Sequence, residues 1–401
     1  MNDKAHKKRT SDGATNQRGV ALIMVLVAVA ILTIFATDFI RVTQVHAMGT
    51  LNIRDEIRAE YLARSSVNLS RLLLAVQGVI SNEMKRFRMR PPPLWQFADY
   101  FVLAFNDPAA LEMVGSVIGT GMDGAAGFGN LGGNIQVAIV DEASKINLNM
   151  AVQGPAWQEL LARQLLALMG PPVYDEIFET PDEEGDTMTR EEMVAAIIDY
   201  VDTDETAYGT RGFPEANAYK LGETSMGLKN AAFDDIEELH LVKGVTDDFW
   251  TAFVDPEPDH PESRSLTVWG SGKINVNTAD PMVLYAVLCS LSQNPAEQCN
   301  PMNMENILNL IQYMMDVRSL LGVPFANTGR FIQNVGSGVE GIPGMAMNAD
   351  EVNKYLTVDS WVFSIFATAE VGKARKRIWT VVDTRGARAI NGGTILYWKM
   401  Y

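Results

Sequence analysis

The acidic side chains between Asp199 and Asn217 are the residues of this sequence best placed to do chemistry. Asp199, Asp202 and Asp204 fall at the end of a helical run and in the loop after it, and Glu205, Glu215 and Asn217 follow. Hard oxygen donors gathered in one loop suit calcium. The spacing is not that of an EF-hand. Counted from Asp202, the sixth position is Ala207 and the twelfth is Phe213, where a glycine and a bidentate glutamate are required. The alternative is a solvated acidic loop in which Asp199 or Asp202 caps nearby backbone. The second pair with chemistry is Cys289 and Cys299, the only cysteines. They either close a small disulfide loop or stand as one buried and one exposed thiol. With no histidine nearby they do not make a zinc site.

Catalysis is poorly served. The four histidines, His6, His46, His240 and His260, stand apart, and no Gly-x-Ser-x-Gly segment exists. Gly127–Gly132 and Gly336–Gly341 have dinucleotide-type glycine spacing, but neither lies between a strand and a helix. Lys243 is nearly alone among Asp234, Asp235, Glu237, Glu238, Asp247 and Asp248, so the helical pair around Leu239–Trp250 reads as structural and not as a phosphate binder. The formal net charge of -16 argues against nucleic acid as a partner.

The stretch Gly19–Thr37 must position everything else. It carries no charge, with Arg18 before it and Asp38 after it. As a helix it spans ~28 Å at ~1.5 Å per residue, close to the apolar thickness of a bilayer. The preceding tail holds Lys4, Lys7, Lys8, Arg9 and Arg18, which keeps it cytoplasmic by the positive-inside rule. The large domain is then expected across the membrane, in a bacterium the periplasm. Ile53, Ile57 and Tyr61, and then Leu69, Leu73, Val76 and Ile80, extend the helical spacing past the membrane. Gly49 reads as a soft point in that helix, which must stop by Pro91-Pro92-Pro93.

Beyond it, Asn134–Val140 alternates as a strand and leads into Lys145-Ile146-Asn147-Leu148-Asn149-Met150-Ala151. A near copy returns as Lys273-Ile274-Asn275-Val276-Asn277-Thr278-Ala279. Between the copies helices are expected at Trp157–Met169, at Thr189–Tyr200 with a Thr189/Glu192 capping box, and at Asp234–Val242 with Asp234 as cap and Gly244 ending it. After the second copy come helices at Pro281–Leu291, capped by Asp280, and Asn303–Leu321. The strands Trp361–Val371, Arg375–Asp383 and Thr394–Tyr401 close the chain, the first two joined by a turn at Gly372-Lys373-Ala374.

Two cuts are conceivable at the N-terminus. A secretory signal would be removed beyond the apolar run, where Phe35-Ala36-Thr37 offers a poor site. The other cut lies between Gly19 and Val20. There the chain resembles type IV prepilin-like proteins, whose basic leader is removed by a prepilin peptidase, leaving the apolar helix (here beginning Val20, Ala21, Leu22, Ile23, Met24) as membrane anchor and assembly stem. Most such proteins have Glu where Met24 stands. A carboxylate in an apolar bundle costs several kcal/mol unless paired, so its loss suits a subunit with no neighbour above it.

Further along, Arg58–Ser65, Asp199–Asp204, Lys229–Phe233, Ile236–Leu239, Leu241–Gly244 and Lys273–Ala279 resemble the type II secretion system protein K family, over about residues 18 to 383. That resemblance implies an α+β fold: a pilin-like long N-terminal helix packed on a C-terminal antiparallel sheet, with a large, mostly helical domain inserted. The expected division is a basic leader (1–19), a membrane and stem helix (20–90), a first part of the α/β domain (91–150), the insertion (151–265) and a second part (266–401). The resemblance also implies calcium in the insertion, with Asp199, Asp202, Asp204, Glu215 and Asn217 as candidate ligands. The family usually has an acidic residue where Ala216 stands. As partners it implies minor pseudopilins I, J and H, prepilin peptidase, the inner membrane and exoprotein substrates, in a non-enzymatic role at the tip of a short pseudopilus. The competing reading is a membrane-anchored periplasmic protein with metal-binding or hydrolytic activity.

Overall fold

The computed structural model describes residues 14–86, 91, 93–106, 132–181, 185, 187–209, 229–258, 260–320, 325–339, 341–385 and 392–401. Helix α1 (Ala14–Arg86) runs unbroken for 73 residues. It passes straight through Gly49, contrary to the soft point expected there. A single glycine costs a helix only about 1 kcal/mol relative to alanine, which is too little to end one this long.

The N-terminal part of α1 is bare, with its apolar side chains from Val20 to Val45 exposed. Its far part buries Ala59, Leu62, Ala63, Val67 and Leu74 on one face. Small residues set that face: Ser66 and Ser70 are 1% exposed, and their hydroxyls return to the carbonyls of Leu62 and Ser66, both at 2.8 Å. A sheet can therefore lie close against the helix without orphaning a polar group. After α1 the chain makes a short turn of 3-10 helix at Leu94–Phe97, then α2 (Ala98–Asn106).

Strand β1 (Asn134–Asp141) follows, then the short β2 (Ile146–Asn147), α3 (Pro155–Met169), α4 (Arg190–Val201) and β3 (Leu266–Thr267). Next come β4 (Ile274–Asn275), α5 (Pro281–Ser290), α6 (Met304–Leu320), α7 (Thr328–Ser337), α8 (Ala349–Tyr355) and β5 (Leu356–Thr357). The last strands are β6 (Val362–Val371), β7 (Ala374–Asp383) and β8 (Thr394–Met400).

The main sheet is antiparallel with order β1-β6-β7-β8. Its hairpin turns at Gly372, whose φ is +59°; a Cβ there would stand 2.7 Å from Asp55 Oδ2 on α1, so the glycine serves both the turn and the close approach. One face, with Ile135, Val137, Ile139, Ile365, Ala367 and Ile378, packs on α1 and α2. The other face, with Trp379 and Val381, joins a second core continuous with the helical region. The molecule is thus three layers: long helix, sheet, helical head. This is the α+β arrangement expected, with β1 added to the C-terminal strands as an edge.

The two sequence copies are structural equivalents. β2 pairs in parallel with β3, and β4 pairs in parallel with β5. Both partners carry Leu-Thr-Val, at Leu266–Val268 and Leu356–Val358. Asn147 Oδ1 accepts from Asn149 N at 2.9 Å, and Asn275 Oδ1 accepts from Asn277 N at 3.0 Å.

Both repeats hang from the end of β1. Asp141, 1% exposed, accepts from Ala143 N at 2.8 Å, Asn275 Nδ2 at 3.1 Å, Thr278 Oγ1 at 2.5 Å and the Ser360 hydroxyl. Burial pushes its carboxyl up, and these donors oppose the shift. Its neighbour Glu142 pairs with Lys145 at 3.0 Å, both 3% exposed, and accepts from the Thr267 hydroxyl. Adjacent carboxylates therefore serve different repeats.

One expected helix is corrected. Asp234–Val242 is not an α-helix capped by Asp234 but a 3-10 segment, Ile236–Leu241, capped by Asp235, whose side chain accepts from Glu237 N at 3.2 Å. Gly244 then adopts φ +83°, the left-handed conformation its position called for.

Candidate functional site

The acidic loop is delivered by α4. Thr189 and Glu192 form the capping box at its start, with Glu192 N donating to Thr189 Oγ1 at 3.2 Å and Thr189 N donating to Glu192 Oε2 at 2.9 Å. The helix ends at Val201, so Asp199 sits in its last turn and Asp202 is its cap. Carboxylates there face the negative end of the helix dipole and gain nothing from it.

Asp199 and Asp202 are 5% and 4% exposed. Asp199 Oδ1 accepts from Tyr208 N at 2.6 Å. Asp202 Oδ2 accepts from Gln158 Nε2 of α3 at 3.1 Å, while its Oδ1 is buried with no hydrogen bond. Asp204 turns its Oδ1 to Thr206 N at 2.8 Å, and its carbonyl accepts from Asn230 Nδ2 at 2.6 Å. Burial pushes both Asp199 and Asp202 up to about 6, and the charges acting on them are those of other carboxylates in the loop. Buried like charges with no cation between them are costly.

The fit to calcium is one-sided. Asp199, Asp202 and Asp204 supply the right donors, and the orphaned Asp202 oxygen is the atom most in need of one. Among the described residues no three His, Cys, Asp or Glu side chains converge closely enough to hold a metal. Glu215 and Asn217 lie outside the described residues. Gln158, Tyr208 and Asn230 are contacts the sequence did not single out as part of this loop. Only Asn230 left a trace there, as part of Lys229–Phe233, and it is the one non-glycine at positive φ, +39°, among the described residues.

The disulfide candidates are joined: Cys289 at the end of α5 and Cys299 have Cα atoms 5.7 Å apart and a direct S–S bond. Val20, Ala21, Leu22, Ile23 and Met24, the residues expected to open an assembly stem, lie within α1 and are exposed, Val20 by 52% and Met24 by 65%. Gly19 and Val20, the expected cleavage pair, lie within helix α1. Among the described residues one helix is long and apolar enough to cross a membrane, and none of its most apolar window is buried. The hydroxyls of Thr33 and Thr37 return to the carbonyls of Val29 and Ile34 at 2.8 and 3.0 Å, so both threonines of the apolar stretch have an acceptor within the helix.

Residues 144–254 match the family model of type II secretion system (T2SS) protein K. The matched stretch begins just after β1 and takes in Lys145–Ala151, α3 and α4, ending before β3, and the resemblance seen in the sequence holds there. A chain in the crystal structure of the GspK-GspI-GspJ complex from the type 2 secretion system of enterotoxigenic Escherichia coli is similar over 67% of this chain and 80% of that one, at 17% identity and a TM-score of 0.44. No curated protein matches the chain.

Proposed function

We propose that the chain is a minor pseudopilin of type II secretion, a structural subunit at the tip of the pseudopilus that initiates or caps its assembly for export of folded proteins. The match of residues 144–254 to T2SS protein K carries this reading. A single bare apolar helix, fixed to a sheet only at its far end, supports it. That helix acts first as a single-pass anchor in the inner membrane with the head in the periplasm. After prepilin peptidase cuts at Gly19–Val20, it becomes the stem on which neighbours pack. On the stem above the anchor, Ile53, Ile57 and Tyr61 are 61%, 50% and 67% exposed and recur at helical spacing, an apolar stripe free for a neighbouring stem.

Met24 supports the tip position, since an unpaired carboxylate there would have no subunit above to neutralise it. The head supports it too: it covers the sheet face opposite α1, and that bulk suits an end better than a packed shaft. The partners in this reading are minor pseudopilins I and J, with H below, and exported proteins are met at the head.

The acidic loop is proposed to hold calcium, with Asp199, Asp202, Asp204, Glu215 and Asn217 as candidate ligands. When bound, the ion supplies the positive charge that the buried carboxylates lack. Two experiments test the reading. The full chain in detergent should co-purify with minor pseudopilins I and J of the same system; failure with both would contradict the assignment. Calcium should raise the melting temperature of the chain over chelator, and Asp202→Ala with Asp204→Ala should abolish the difference. An unmutated chain indifferent to chelator would remove calcium from the account.

A further inference from the structure

An open cleft of about 360 Å³ lies where β1 meets the turn that carries Trp95 and Gln96 and the short turn that carries Glu262. That volume falls within the ~300–1,000 Å³ of ordinary ligand clefts. β1 is an edge strand, with β6 as its ladder partner. Val137 N donates to Asp99 Oδ1 of α2 at 3.1 Å, so this N–H points away from β6. Backbone direction alternates along an antiparallel strand, so Ile139 turns its N–H and C=O the same way. Ile139 lines the cleft, and among the described residues no group bonds to its N–H or C=O on that side.

The charged groups lining the cleft are both carboxylates, Asp141 and Glu262. Asp141 is buried and already holds four donors. Glu262 is the accessible one, its side chain 60% exposed and meeting His260 Nδ1 at 3.0 Å. On the other side Phe97 and Tyr100 are 51% and 71% exposed. Tyr100 lies one turn on from Gln96 and shares its side of the helix. An open strand edge beside exposed aromatic rings suits an extended chain that adds to the sheet.

We propose that the outer edge of β1 docks an extended segment of another protein as a fifth strand, with a lysine or arginine of that segment meeting Glu262. Main-chain bonds to Ile139 supply affinity that tolerates many side chains, and Glu262 supplies the preference for a basic one. Charge selects the occupant: the cleft is lined by carboxylates and no cation, and a second copy of this chain, at a formal net charge of -16, would be repelled. Neither the acidic loop after α4 nor the apolar part of α1 takes part.

The test uses the full chain in detergent micelles with dye-labelled, acetylated hexapeptides of alternating valine and threonine. Each carries one lysine, at each position in turn, and each has a glutamate counterpart. The tightest lysine peptide should slow hydrogen exchange of the Ile139 amide by about tenfold at about ten times its Kd. Its glutamate counterpart should bind about threefold or more weakly. Glu262→Gln, at an exposed side chain, should erase that preference and leave the docking at Ile139 in place. Three results overturn the docking site: no peptide binds, binding leaves Ile139 exchange unchanged, or the Ile139 amide of the chain alone is already as slow as the ladder amide of Val140. Equal affinity for lysine and glutamate peptides, or a preference that survives Glu262→Gln, overturns the basic occupant.

Discussion

Asn149 and Asn277 make the same three hydrogen bonds in two different places. Asn149 Nδ2 donates to the carbonyls of Phe233 and Val268 at 2.9 and 2.8 Å, and its Oδ1 accepts from Phe233 N at 2.7 Å. Asn277 Nδ2 donates to the carbonyls of Phe325 and Val358 at 3.1 and 3.5 Å, and its Oδ1 accepts from Phe325 N at 2.6 Å. Each side chain pins a returning segment and the strand-like Leu-Thr-Val to its repeat. Asn149→Ala leaves partly buried backbone groups unmet, at ~1–3 kcal/mol per orphaned group. Chemical denaturation should show a loss in that range for Asn149→Ala and a smaller one for Asn277→Ala, whose bond to Val358 is long. Equal stability of Asn149→Ala and the parent chain would refute the clamp.

The disulfide joins residues 10 apart in sequence. Loop-closure entropy for a ring of this size stabilises by about 3 kcal/mol. Cys289→Ser with Cys299→Ser should lower the unfolding free energy by roughly that amount. The effect should be matched by adding reductant to the parent chain, and reductant should leave the double variant unchanged.

Asp199 and Asp202 give a pH dependence whose sign is fixed. Burial raises both from the ordinary aspartate value of 3.8 to about 6. The folded chain therefore binds protons more readily than the unfolded chain in this range. The resulting stability is fully present below the unfolded value and is lost as pH rises through about 6. In chelator, the melting temperature of the parent relative to Asp202→Asn should increase as pH is lowered from 7 to 4.5. A difference between the two that is flat over this range would contradict the burial of a charged Asp202.

Gln164 is 0% exposed in the core, and neither its Nε2 nor its Oε1 has a hydrogen-bond partner. An unmet buried amide costs ~1–3 kcal/mol. Gln164→Leu should raise stability by about 1 kcal/mol, since an apolar side chain of similar size removes that penalty. Thermal melts check this, and a marked loss would show that the amide is hydrogen-bonded in solution.

Local signals were legible in the sequence because they are written in neighbouring residues. The Thr189/Glu192 box, the Asp280-Pro281 helix start and the Gly372 hairpin each depend on spacings of a few positions. The echo of Lys145–Ala151 in Lys273–Ala279 was also visible. Its meaning was not, because β2 meets β3 across about 120 residues and no local rule encodes that parallel pairing. Asp235 displaced Asp234 as the cap although either aspartate satisfies the spacing rule, and Asp235 is the one also held by the Tyr397 hydroxyl of β8, a long-range contact that spacing does not encode. In the candidate site, the acidic residues were legible. The burial of Asp202 and its bond to Gln158 were not, because they depend on how α3 packs against α4.

What becomes of α1 at Gly19 decides whether the helix is an anchor alone or an assembly stem. Intact-mass and N-terminal peptide analysis of the chain, purified from membranes that contain prepilin peptidase, reads this directly. The expected product is a chain beginning at Val20, with the apolar helix retained. A chain beginning at Met1, or beyond Ala36 with the helix removed, would contradict it.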